Sequence, residues 1–238
     1  LGSQPPFRRP PPAYPASLLN TKNELLRVTV TVRGAGWRDV TFAVGELDPG
    51  FGNHPALLAL TQNGRPVAHG PELVVPGDRA PVRFVPQVSQ LTVGIATAPA
   101  TDTNPPAASP VEVIDGRHEV TLSAALLARL PAETLTVSFE GPSGLQTHTE
   151  VGPPLLEVLA AAGVAPTLNT WVAAVGDDNY VATVTPAEQL VGGRPLQLSL
   201  SEDGVTLAQP RLGQRRRHQG RPLRLRHRGH YVGTGPAD

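Results

Sequence analysis

No cysteine-based chemistry is available to this chain, because its 238 residues contain no Cys. No disulfide, thiolate nucleophile or thiolate metal ligand can form. Arg65, Arg83 and Arg194 carry planar guanidinium forks that suit an anionic ligand, with surface ion pairs as the competing use. Tyr180, with Trp37, Phe42 and Trp171, can wall a pocket or fill a core. Asp177 and Asp178 stand together before Tyr180. Acid–base catalysis would need a pocket and a second group beside them, whereas a turn needs only their local acceptors. Of the seven His, His54, His69, His118 and His148 are scattered singly. They lack the short spacings of metal ligands, so isolated surface or turn positions are expected, and no metal site.

The charge balance narrows the partners. The chain is formally neutral, yet residues 211–238 hold eight of the 20 basic residues and one of the 20 acidic ones, leaving 12 basic against 19 acidic in the body. A mildly acidic body offers no broad basic surface, so nucleic acid is not an expected partner. No apolar run approaches the roughly 18 residues of a membrane span. Gly 24 and Pro 27 exceed a fifth of the chain, which suits short strands joined by many turns. The chain opens Leu1-Gly2-Ser3 without Met or a signal-peptide pattern, so a segment upstream is expected.

The elements that would position these groups follow from periodicity. Residues 1–24, Pro-rich over residues 1–17, read as a linker or truncated domain edge. Leu26 to Val32 and Val40 to Val44 alternate on either side of Gly34-Ala35-Gly36, which predicts a hairpin. Leu57 to Thr61 is more continuously apolar, Asn63-Gly64 is a turn signal, and Phe84 to Val93 alternates again. Residues 96–110 lack an apolar period and mark a linker between a unit at 25–95 and a second at 111–212. In the second unit Glu119 to Leu122 and Thr134 to Phe139 read as strands. Ser123 is placed to cap a short helix running to Leu130, before Pro131. Leu155, Leu156, Val158, Leu159 and Ala162 form one helical face, with Gly163 at its left-handed cap.

The two units also read as versions of one pattern. Trp37, Thr41, Phe42, Glu46, Leu57 to Leu60 and Asn63-Gly64 in the first answer to Tyr180, Thr183, Val184, Glu188, Leu196 to Leu200 and Asp203-Gly204 in the second. Such a period means one architecture used twice. The run Thr149-Glu150-Val151-Gly152, Leu155 to Leu159, Ala162-Gly163 and Tyr180 to Val184, with the closing segment Val74-Val75-Pro76-Gly77-Asp78 and Arg83-Phe84-Val85, resembles the molybdopterin-binding domain of the sulfite-oxidase family. The resemblance implies an α+β, β-rich mixed fold present as one partial and one nearly full copy. It implies a molybdopterin cofactor whose phosphate Arg65, Arg83 and Arg194 could meet, with Tyr180 in the pocket wall, and an extracytoplasmic or cell-envelope setting. It further implies oxygen-atom transfer in active relatives, which hold molybdenum through one Cys after the strand matching Thr134 to Phe139. Ser138 to Gly144 supplies none, and a hydroxyl does not replace a soft thiolate. The expected function is therefore a non-catalytic binding or structural module, with a pterin or a protein as partner. The alternatives are a molybdenum–pterin oxidoreductase, or a subunit of one, and a decayed gene product.

The tail has a reading of its own. From Leu212 to His230 almost every residue is Arg, Gly, Pro, Leu, His or Gln. Arg215-Arg216-Arg217-His218 and Arg224 to His230 could form a basic arm or a metal site. A frameshift is the rival explanation: read one base later, one permitted back-translation from Gly213 gives VSGDVTKGGRYVSGIVGIT, which restores the Gly-Asp, Arg-aromatic-Val and alternating strand of the first unit. Translated in the present frame, residues 213–238 form an Arg-rich tail, and the second unit is expected to lack its closing strand and expose a sheet edge.

Overall fold

The computed structural model describes residues 24–96, 111–115, 118–141, 144–175, 181–214 and 230–233. The alternating Val and Thr residues behind the turn Glu24–Arg27 form β1 (Val28–Arg33), and a tight turn through Gly36 at φ 76° returns the chain as β2 (Asp39–Ala43). Glycine supplies that conformation without a Cβ penalty. A single helical turn, α1 (Val44–Leu47), precedes two ribbons. These pair β3 (Leu57–Ala59) with β6 (Glu72–Val74) and β4 (Thr61–Gln62) with β5 (Arg65–Pro66). At the tip of the second, Asn63 at φ 52° and Gly64 at φ 76° make the expected reversal.

The stretch Phe84 to Val93 is not one strand. Pro81–Arg83 is a 3-10 turn, Val85 bridges Leu73, and only β7 (Gln90–Ile95) joins a sheet. Pro86 has no N–H to give a ladder and Gln87 sits at φ 52°, so the pattern breaks there. Leu57, Leu58 and Leu60 are exposed despite their apolar run.

The rest of the chain supplies β8 (Val111–Asp115), β9 (His118–Leu122), α2 (Ala124–Leu127), β10 (Glu133–Gly141), β11 (Gly144–Gly152) and α3 (Leu155–Ala161). It continues as β12 (Trp171–Val175), β13 (Val181–Val184), α4 (Pro186–Leu190), β14 (Leu196–Glu202), β15 (Val205–Gln214) and β16 (His230–Gly233). Ser123 caps α2 by accepting from the Leu126 N–H at 3.2 Å, and the α-helix closes at Leu127, short of Leu130. Gly163 takes φ 77° just after α3, as its cap position demands.

The larger sheets are three-stranded β2-β1-β7, four-stranded β10-β11-β14-β15 and five-stranded β13-β12-β16-β8-β9. The first and third share a local plan. In each, a central strand is flanked by two antiparallel neighbours: Thr31 meets Thr41 and Thr92, and Ala173 meets Thr183 and Tyr231. Moving one residue along, Val30 meets Phe42 and Val93, and Val172 meets Val184 and Val232. The expected open edge beside β12 is therefore filled: His230–Gly233 pairs with β12 and, in parallel, with β8. Those four in-frame residues supply the ladder bonds that a closing strand needs.

One core joins β8, β9, α2, α3, β12, β13 and β14, with Leu122, Leu127, Leu159, Leu196 and Leu198 almost wholly buried. Each such leucine contributes about 1.5–3 kcal/mol by leaving water. A second core gathers Val32, Val40, Phe42, Leu73, Val75 and Val85, against which Leu168 of the other half packs. The halves are also stitched by backbone: the Thr41 N–H donates to the Leu168 carbonyl at 3.0 Å, and the Thr183 hydroxyl to the Leu26 carbonyl at 2.8 Å.

Candidate functional site

The densest polar chemistry lies where α1 and the Pro81–Arg83 turn approach α4. Arg83 has no solvent exposure, and the surrounding structure satisfies its charge from two sides. Its Nη1 donates to Glu46 Oε1 at 2.6 Å; its Nε and Nη2 grip Asp78 at 2.8 and 2.5 Å. The guanidinium carbon lies 4.9 Å from the centre of the Phe42 ring, a cation–π distance. This planar, bidentate arrangement is one that Arg makes and Lys cannot.

Local backbone brings the partners in. After α1 the chain doubles back, with the Gly52 N–H donating to the Gly45 carbonyl at 2.7 Å and the His54 N–H to the Glu46 carbonyl at 2.9 Å. A Cβ on Gly52 would lie 2.2 Å from that Glu46 oxygen, so only glycine permits the reversal. His54 is thereby buried, with Nε2 3.3 Å from Asp78 Oδ1 and Nδ1 3.8 Å from Glu46 Oε1. This corrects the surface or turn position expected for it: no motif spacing marks His54, because a chain reversal rather than a helix places it.

The second half closes the cluster. The Thr185 hydroxyl donates to Glu46 Oε2 at 3.3 Å. Arg194 Nε lies 3.1 Å from Glu188 Oε1, and its Nη1 donates to the Gly52 carbonyl of the first half. The Arg79 N–H donates to the Val191 carbonyl at 2.8 Å. Gly192 sits over the cluster, where a Cβ would come 3.1 Å from both Arg83 Nη2 and His54 Cε1. Beside it an open cleft of about 460 Å³ is lined by Gly52, Asn53, His54, Gly77, Gly192 and Arg194, among others.

Burial pushes the Glu46 carboxyl above its ordinary pKa, against the opposing pull of Arg83, Thr185 and Arg194. Burial also works against the Arg83 charge, but its hydrogen bonds and attraction to Asp78 and Glu46 outweigh that and raise its pKa. The cluster is thus built around a permanent cation in the interior.

Of the residues chosen from sequence, Arg83 and Arg194 come to the same place, but each is engaged by protein. Arg65 stands apart, exposed on β5, and Tyr180, Asp177 and Asp178 lie outside the described residues. Arg83 forms a buried ion pair rather than a surface one. The three arginines do not converge into a cradle for a phosphate, so among the described residues this donor set does not fit the pterin contact the resemblance implies. Ser138, near the place where the resemblance would set a Cys, pairs with the Thr147 hydroxyl at 2.9 Å on the exposed face of the β10–β11 hairpin. Among the described residues no group of three His, Asp or Glu is arranged to hold a metal ion. Nor, among them, is any helix long and apolar enough to cross a membrane.

Sequence reasoning assigned no site role to Glu46, His54, Asp78, Thr185 or Glu188. Its one usable signal was the recurrence of Glu five residues after Thr, at Thr41 and Glu46 and again at Thr183 and Glu188. No protein-family model matches the chain, and no curated protein matches it.

Proposed function

We propose that this chain is a non-catalytic binding or structural module made of two related units on a scaffold of the sulfite-oxidase molybdopterin-domain type. The observation that carries the non-catalytic part is the state of its cations: Arg83 and Arg194 direct their donors to Glu46, Asp78, Glu188 and the Gly52 carbonyl. Arg83 is held entirely within the first half, and Arg194 joins Glu188 to the Gly52 carbonyl of the first half at the wall of the cleft. The absence of any Cys points the same way, since no soft ligand is on hand to tune a bound metal. The two-unit part is supported by the shared register of β2-β1-β7 and β13-β12-β16, and by the equivalent places of Glu46 and Glu188 after the matching strands.

Molybdenum and released pterin, quantified on the full chain purified from cofactor-replete cells, test the proposal. The expected result is neither in stoichiometric amount. One molybdenum per chain would overturn it and restore the reading as an oxygen-atom-transfer oxidoreductase or a subunit of one.

A further inference from the structure

The two related sheets differ at one edge. In the five-stranded sheet the outer side of β16 is covered by β8 in parallel, with His230 opposite Val113 and Tyr231 opposite Ile114. Val111 and Val113 of that covering strand are almost fully buried. In the three-stranded sheet β7 holds the place of β16, since Thr92 and Val93 meet β1 as Tyr231 and Val232 meet β12. Among the described residues nothing pairs with the outer side of β7.

That outer side is apolar. Leu91 and Val93 end two cross-strand rows that begin in the core at Val40–Val32 and Phe42–Val30, yet they are 56% and 64% exposed. The direction of the free amides follows from the ladder. The Ala96 N–H donates to the Arg27 carbonyl at 2.9 Å, and β-strand groups alternate in direction. The N–H groups of Gln90, Thr92 and Gly94 therefore face β1, and those of Leu91, Val93 and Ile95 point outward. An uncovered edge with an apolar flank is a template for strand addition.

We propose that the outer edge of β7 is a docking site for a β-hairpin of a separate polypeptide, patterned like Val111–Leu122, which adds parallel to β7 with its first strand placed as β8 is beside β16. The proposal rests on the two-unit reading, because it is the second unit that supplies the occupant's form and register. The position equivalent to Val113 lies opposite Leu91 and continues that row, and the position equivalent to Asp115 lies opposite Val93. Two carboxylates on the docking strand, as at Glu112 and Asp115, keep such a hairpin from pairing with itself.

The test is hydrogen exchange on the full chain, resolved to single amides, with and without a synthetic peptide of the sequence VEVIDGRHEVTL, together with the Val93→Pro variant. Proline at Val93 removes only an outward N–H, so pairing to β1 survives while the ring blocks an added strand. The expected result is that exchange at Leu91, Val93 and Ile95 slows at least about tenfold on adding peptide, and that Val93→Pro abolishes the slowing at Leu91 and Ile95. Two outcomes would overturn the proposal with the two-unit reading intact: no slowing although Gln90, Thr92 and Gly94 are protected, or protection of the edge by self-association that Val93→Pro relieves. Unprotected Gln90, Thr92 and Gly94 would instead remove β7 from the sheet and overturn the two-unit reading itself.

Discussion

Replacing Arg83 with Met removes a buried cation while keeping most of the aliphatic stem that packs on Phe42. Three charge-assisted hydrogen bonds of 2.5 to 2.8 Å disappear, and the almost wholly buried carboxylates of Glu46 and Asp78 are left without their cation. Breaking a buried pair on one side costs about 3–5 kcal/mol. With a urea slope of about 2–3 kcal/mol per molar, the unfolding midpoint at pH 8 should fall by roughly 1–2.5 M. The penalty has a pH signature. Without Arg83 the Glu46 carboxyl, already raised by burial, rises further, so the deficit relative to the parent is largest above that pKa. It should shrink as the pH falls and the carboxyl becomes neutral. Adding Glu46→Gln and Asp78→Asn to Arg83→Met removes the orphaned charges and should recover at least about half of the loss. A midpoint shift under about 0.3 M for Arg83→Met, or a triple variant less stable than the single one, would refute the claim that these groups form one desolvated network.

Two further outcomes concern the second half. Glu150 is buried beside the Ser199 hydroxyl, and burial raises its pKa while that hydrogen bond opposes the shift. Its contribution to stability is complete below the unfolded pKa and is lost as the pH climbs through the folded one, so Glu150→Gln should gain in Tm relative to the parent between pH 4 and pH 8; a difference independent of pH would contradict this. Gly152→Ala would place a Cβ 2.0 Å from the Leu198 carbonyl oxygen, on the backbone of β14 rather than on a side chain that can turn away. A loss of about 1–3 kcal/mol or more is expected from thermal or urea unfolding, and an unchanged midpoint would show that β11 and β14 are not so closely apposed.

The local grammar of this protein was legible in its residues. The β1–β2 hairpin, the Asn63-Gly64 and Asp203-Gly204 turns, the Ser123 cap and the α3 helix with its Gly163 cap each depend on neighbours within a few positions. Such features are fixed by backbone sterics and short hydrogen bonds, which a chain carries wherever it folds. The recurrence of Glu five residues after Thr, at Thr41 and Glu46 and again at Thr183 and Glu188, was equally visible. The alternation from Phe84 to Val93 misled because side-chain period says nothing of Pro86 and Gln87, whose backbone ends the strand. The expected open edge was filled by His230–Gly233, whose partner strands β12 and β8 lie far away in the sequence.

What the residues alone determined, then, were turns, caps, strand periodicity and the lack of a thiol. Tertiary structure alone decided which charges meet. Glu46 and Arg83 are 37 positions apart and Glu46 and Thr185 are 139 apart, yet all three are buried in one hydrogen-bonded cluster. An arginine on a surface and one between two buried carboxylates have the same side chain and the same flanking sequence signals. Only the packing that removes water makes one a solvated charge and the other the centre of an interface.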